Sequence, residues 1–279
     1  MKRLISGICI YVLAVLLVLL PFEIWKIVSR ADYGNAPGVE VRCAVKTSKT
    51  KHTGKIRKLI LGDSTGHALY PSEKEYDNIA SMACNQAITM AGHYFLLKNY
   101  LENNADNLPQ EIIVLFTPET FGNDVDMFAY QYFLKPFPIW EYKSDYSAHL
   151  YKRIKSIPFY WTANLPFIQT SGYTPLKSVP AAEERTSMSE LSYEYLVLMD
   201  SIAKAYHVPF SMRSTPVRDD KQEETAVIIK DLETICAGSL NDLMVPYIQS
   251  IPFYPAEMFF DHAHLKPEHT PQDYLGVLE

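Results

Sequence analysis

The run Glu111-Ile112-Ile113-Val114-Leu115-Phe116 constrains the fold more than any other segment of the chain. One charge is followed by an unbroken apolar stretch, so the segment offers no polar face to water and must be covered on both sides. A short continuous run of this kind, rich in β-branched residues, reads as a central strand of a parallel sheet. Pro109 stands just before it and breaks a helix over 91–103, in which Phe95, Leu96, Tyr100 and Leu101 recur at helical spacing.

The same alternation continues in both directions. Residues 57–61 read as a first strand, and a second lies within 77–84 with Ile79 and Met82 as apolar members. Residues 188–206 read as a long helix, 208–212 as a strand, and 219–236 as a further helix with Val227, Ile228, Leu232 and Ile235 on one stripe. Strands alternating with helices imply βαβ units and an α/β domain with a mainly parallel sheet. In such sheets function collects beyond the carboxyl ends of the strands. Ser64, the segment around Asn85 and the segment after Phe116 would share that edge. Residues 120–185 break the rhythm with Phe128, Tyr130, Tyr132, Phe133, Phe137, Trp140, Tyr142, Tyr146, Phe159, Tyr160 and Trp161. They read as an insertion packed over the sheet. Their rings either cap a core or form a stacking platform for the C–H faces of sugars.

The first segment stands apart. Lys2 and Arg3 precede an apolar run over 4–20, which Pro21 and Phe22 extend and Glu23 ends. The run has the minimum length of a membrane span and is long for the apolar core of a cleaved signal. The bulky Pro21-Phe22-Glu23-Ile24-Trp25 offers no small-x-small cleavage site, and Trp25 suits an interface. Residues 1–30 therefore read as an uncleaved signal anchor. The run is apolar on every face, which argues against a buried core helix. With Lys2 and Arg3 held in the cytoplasm the rest lies outside it, in the periplasm of a cell with two membranes, although Lys26 and Arg30 weaken the asymmetry. Residues 31–55, with Gly34, Pro37 and Gly38, read as a linker, and 56–279 as the domain.

Hydrophobic residues make up 48% and charged residues 21%, enough to bury an ordinary core. The formal net charge of -6 argues against nucleic acid as a partner, since phosphate-backbone binding needs a basic face. Cys9 lies in the anchor. Among Cys43, Cys84 and Cys236 one disulfide is open in an oxidising compartment, with the pairing unreadable; Cys84 reads better as a small buried hydrophobe.

The chemistry sits in two segments. Leu59-Ile60-Leu61 runs into Gly62-Asp63-Ser64, and Asp261-His262-Ala263-His264-Leu265 stands near the end. A serine just past a strand, after a glycine that permits a tight turn, can present its hydroxyl to a cleft. A plain turn with Asp63 or Ser64 capping the following helix uses the same residues. A carboxylate three residues before a histidine can orient one ring nitrogen and leave the other to accept the serine proton. Asp261 and His264 have that spacing, with His262 as competitor. His262-x-His264 also permits a metal reading, but His67, His93 and His269 are not spaced to complete it, so no metal is expected.

Ile60-Leu61-Gly62-Asp63-Ser64 resembles the first block of the SGNH (GDSL-type) hydrolases, and Phe259-Phe260-Asp261-His262-Ala263-His264-Leu265 resembles their last. The resemblance spans roughly residues 56 to 275, with its specificity in those two blocks. It implies a flavodoxin-like three-layer α/β/α sandwich, with Ser64 as nucleophile, His264 as base and Asp261 as its orienting carboxylate. Two middle blocks match less closely. Ala87, within Asn85-Gln86-Ala87-Ile88-Thr89-Met90-Ala91-Gly92, stands where that family often has an oxyanion-binding glycine. Asn123, in Gly122-Asn123-Asp124, falls later after its strand than the family pattern; it is either an oxyanion donor or a loop residue in an Asx turn. Anchored members resemble proteins that handle acyl groups on envelope polymers, such as D-alanyl transfer and polysaccharide O-acetyl proteins. The expectation is an extracytoplasmic serine esterase or O-acyltransferase acting on an acylated envelope glycan or a small ester, without a cofactor, with an integral membrane acyl-transport protein as a candidate partner. A non-catalytic glycan- or partner-binding component of the same fold, and a lipid esterase at the bilayer surface, are the rival readings.

Overall fold

The computed structural model describes residues 2–29, 39–84, 89–125, 133–158, 160–161 and 186–276. The apolar run forms β3 (Glu111–Phe116), buried from Ile112 to Phe116. β1 (Lys58–Gly62) pairs with it in parallel, Leu59 beside Ile112 and Gly62 beside Leu115. β2 (Ile79–Ser81) flanks β1, and β4 (Phe210–Ser214) flanks β3, both parallel. The order β2-β1-β3-β4 reverses direction at β1, the switch point at which doubly wound sheets bind ligands.

Period-two alternation assigns the two faces of the sheet. Leu59, Leu61, Ile112, Val114 and Phe116 belong to the larger core. It includes residues of α2 (Val39–Lys49), α4 (Thr89–Asn103) and α7 (Glu190–Ala205). Ile60, Ile113 and Leu115 join Leu69, Tyr70, Tyr76, Tyr274 and Leu275 in a smaller core. Leu69 ends the short α3 (Ser64–Leu69). Each fully buried Leu or Ile contributes about 1.5–3 kcal/mol of transfer free energy, so the sheet needs both coats, and helices lie on both sides. A separate parallel pair joins β5 (Val217–Arg218) to β6 (Phe253–Tyr254).

The helices expected at 91–103 and 188–206 form, with slightly shifted ends. The helix expected at 219–236 forms as α8 (Gln222–Ile235), and its apolar stripe is only partly buried. Leu232 is buried, whereas Val227 is 63% exposed and Ile235 43%. A further helix, α9 (Asn241–Gln249), takes the inner position beside β4, burying Met244 and Tyr247 despite its internal Pro246.

Two organisational expectations need correction. Residues 39–49, assigned to a linker, form α2, which packs on α4 and buries Val41 and Ala44. The sequence Val-Glu-Val-Arg-Cys-Ala-Val places its apolar residues at helical spacing, which the flanking Gly38 and the Lys/Thr/Ser tail obscured. The insertion, in its described part, packs not over the sheet but around Phe95 of α4 and Tyr195 of α7. Phe133, Phe137, Tyr142 and Tyr146 all lie within 6 Å of the Phe95 ring, centroid to centroid, so these rings cap a core. Two short helices, α5 (Ile139–Tyr142) and α6 (Ala148–Ser156), carry this layer.

α1 (Lys2–Ser29) contains the apolar span Lys2–Pro21, of mean hydropathy 2.7 and left unburied. It is long and apolar enough to cross a membrane. All four cysteines are free thiols; Cys84 is fully buried, and burial pushes its thiol well above the ordinary value.

Candidate active site

β1 ends at Gly62, and the chain turns through Asp63 into α3, whose first residue is Ser64. Both glycines of Gly62-Asp63-Ser64-Thr65-Gly66 are there for close approach. A Cβ on Gly62 would meet the Leu115 carbonyl oxygen at 2.9 Å, and one on Gly66 at 2.7 Å. The turn can therefore sit directly against the end of β3. Neither glycine has a positive φ, so the turn itself does not demand them.

Asp63 is 1% exposed and organises this edge. Its Oδ1 accepts from the backbone N–H of Thr65 (2.8 Å) and Gly66 (3.1 Å) and from the Thr65 hydroxyl (2.6 Å). Its Oδ2 accepts from the Thr120 hydroxyl and from the Thr117 N–H at 3.4 Å. The cap reading of Asp63 is therefore correct, and the same carboxylate also ties the segment after β3 to the turn that carries Ser64.

The second segment approaches from the C-terminal region. An antiparallel bridge between Phe259 and Leu265 closes a small loop, reinforced by the Phe260 N–H donating to the His264 carbonyl at 3.0 Å. Within the loop, Asp261 Oδ1 accepts from the N–H of Ala263 (2.8 Å) and His264 (2.7 Å). This local turn brings the His264 ring back over its own loop's carboxylate, which explains why the spacing Asp-x-x-His works. His264 Nδ1 lies 2.9 Å from Asp261 Oδ2 and 3.1 Å from Oδ1. His264 Nε2 lies 2.9 Å from Ser64 Oγ. With Nδ1–H donating to the carboxylate, Nε2 is left to accept from the serine hydroxyl.

Burial works to raise the Asp261 carboxyl, but the N–H groups of Ala263 and His264 and the His264 ring outweigh it and hold the group below its ordinary value. Arg218 donates from Nη1 to the Asp261 carbonyl at 3.0 Å while its Nε and Nη2 pair with Asp220. Arg218, like Asp63 in its tying role, was not singled out from the sequence; nothing in Val217-Arg218-Asp219-Asp220 distinguishes it from a solvated charge run. Phe260 stacks on the His264 imidazole, centroids 5.5 Å apart and planes 27° apart, yet is itself 66% exposed.

The structure thus brings Ser64, His264 and Asp261 together, and leaves His262 exposed. Asn123 lies just past the turn Pro118–Gly122 that Thr120 pins to Asp63. Its N–H donates to the Thr120 carbonyl, and its own carbonyl accepts from the hydroxyls of Ser189 (2.8 Å) and Ser192 (3.2 Å). Ala87 lies outside the described residues. Beside His264 an open groove of about 680 Å³ runs between the end of α3 and the C-terminal segment, with Pro71, Tyr76, Phe260 and Pro271 among its walls.

No protein-family model matches the chain, and no curated protein matches it. Among solved structures it is similar to a "putative acylhydrolase" from Bacteroides fragilis, at 13% identity over 83% of this chain and 84% of that one, with a TM-score of 0.33. At that level the likeness carries no argument about chemistry.

Proposed function

We propose that the chain is a serine esterase or O-acyltransferase, acting on acyl esters of an envelope glycan and held by α1 in the cytoplasmic membrane with its domain outside the cytoplasm. The observation that carries this reading is the continuous path from Ser64 Oγ through His264 to Asp261, with both links at 2.9 Å. Ser64 lies at the carboxyl end of β1, where a ligand would sit.

In this reading the Ser64 oxygen attacks the acyl carbonyl while His264 Nε2 takes its proton. Asp261 holds the Nδ1–H and stabilises the imidazolium that forms. The tetrahedral oxyanion is met by the N–H of Ser64, at the first turn of α3, and by Asn123. Collapse expels the alcohol, which leaves with the proton from Nε2. Water or a sugar hydroxyl then gives its proton to Nε2, attacks the acyl-serine and releases the acyl group, and the proton returns to Ser64. The choice of acceptor separates hydrolase from transferase.

The anchor supports a substrate close to the membrane. The Ser72 hydroxyl, beside the groove, donates to the Glu40 carbonyl of α2 at 2.8 Å. Val39 follows the end of α1 by ten residues, a reach of at most about 35 Å of extended chain. The deciding experiment is labelling with a fluorophosphonate probe. Wild type should label and hydrolyse p-nitrophenyl acetate, and Ser64→Ala should do neither at an unchanged melting temperature. Equal labelling of Ser64→Ala, or no label and no ester turnover in wild type, would overturn the reading.

A further inference from the structure

Phe260 is the least expected side chain near Ser64. One face of its ring covers the His264 imidazole, and the rest is left in water at 66% exposure. A lone exposed ring needs no explanation in itself, but this one keeps an open face beside the reactive pair. That face borders the groove of about 680 Å³, within the size range of small-ligand sites. Tyr76 also lines it, with the Lys74 ammonium 5.1 Å above its ring, and Pro71, Pro267 and Pro271 add to the apolar lining. Lys74, Thr270 and Gln272 add polar groups.

We propose that this groove binds a neutral pyranose ring of the glycan portion of the substrate, with Phe260 and Tyr76 as its stacking partners; the proposal rests on the ester chemistry assigned to Ser64. Three features select this ligand. Apolar rings with polar groups among them match the C–H face and hydroxyl edge of a sugar, whereas an acyl chain is best served by an enclosed apolar channel. The groove is open, so a polymer can lie through it without threading an end. Lys74 is the charged side chain among the lining residues, but Glu73, Glu75, Glu268 and Asp273 flank the lining positions in the chain against Lys266 alone, so the surroundings are acidic on balance and disfavour a uronate or phosphorylated sugar. The concave shape also sets it apart from a flat patch that would rest on lipid.

The test is calorimetric titration of the full chain carrying Ser64→Ala, in detergent, with unesterified neutral β-linked tetrasaccharides of glucose, mannose and N-acetylglucosamine and with a tetraglucuronate. At least one neutral tetrasaccharide should bind, and the tetraglucuronate should bind more weakly. Adding Phe260→Ala or Tyr76→Ala should weaken binding by about fivefold each, the size of one lost ring contact. Phe260→Trp and Tyr76→Phe should restore it, which a merely unfolded variant could not do. Binding of no neutral saccharide, preference for the tetraglucuronate, or affinities unchanged by both alanine variants would overturn the proposal. Titration needs no turnover, so a wild type that hydrolyses no ester would sink the esterase reading while leaving saccharide binding to be judged separately.

Discussion

His93 should make this domain acid-sensitive, and His93→Leu should relieve it. The ring lies in α4, 1% exposed, with its centroid 5.1 Å from that of Phe116, and neither of its nitrogens has a hydrogen-bond partner among the described residues. Burial alone pushes its pKa down to about 3 from an ordinary 6.5. The sign follows from linkage. Below pH 6.5 the unfolded chain takes up a proton that the folded chain refuses until near pH 3, so stability is full above 6.5 and falls as the pH drops through that window. Each pH unit costs up to about 1.4 kcal/mol, so lowering the pH from 7 to 5 should cost about 2 kcal/mol through this residue alone. Urea titrations of the full chain in detergent, at both pH values, measure it. Every other group titrates alike in the two proteins, so wild type should lose about 2 kcal/mol more than His93→Leu over that interval. Equal losses would show that the folded ring titrates normally and that the argument from its unpartnered burial is wrong.

Asp261→Asn should leave Ser64 and His264 in place but favour the wrong imidazole tautomer, lowering kcat on p-nitrophenyl acetate by roughly 10⁴-fold; retention of a tenth of wild-type activity would refute the role given to Asp261. Asp63→Ala removes the acceptor of five hydrogen bonds, two of them from hydroxyls left buried, and should cost about 3 kcal/mol in a urea titration together with loss of probe labelling; a loss under 1 kcal/mol, a single ordinary hydrogen bond, would count against its tying role. Full-length protein should remain with membranes after an alkaline carbonate wash, and release of a shorter species beginning after residue 20 would defeat the anchor.

What was legible depended on how much of the signal was local. β3 could be read residue for residue because a run buried on both faces carries no ambiguity of phase. The pairing of Asp261 with His264 was readable for a related reason: the carboxylate accepts from backbone N–H groups two and three residues on, so the spacing itself encodes that geometry. α8 misled because periodicity shows that a helix has an apolar stripe and not whether another helix has already taken the place it would fill. Here α9, a helix the sequence reading did not include, lies beside β4 and buries Met244 and Tyr247. Residues 39–49 misled in the opposite sense, since a modest amphipathic helix between polar flanks becomes visible only when α4 is there to receive it.

Asp63 is the clearest case of a residue whose meaning is non-local. From the chain alone it is one cap candidate beside Ser64, and half of that reading is correct. Its other half depends on Thr117 and Thr120, which reach it only because β1 and β3 are neighbours in the sheet. With both halves in place, one buried carboxylate sets the position of the Ser64 turn and of the segment leading to Asn123, the two sources assigned to the oxyanion. A change at Asp63 should therefore disturb nucleophile and oxyanion site together and destabilise the fold, whereas Asn123→Ala, which removes one oxyanion donor, should slow the labelling of Ser64 by roughly 10²-fold at little cost in stability. Probe labelling read beside urea titration separates these outcomes: Asp63→Ala should lose labelling and stability together, and full labelling at wild-type stability in that variant would mean that the two sides of the site do not depend on this carboxylate in the way the hydrogen bonds imply.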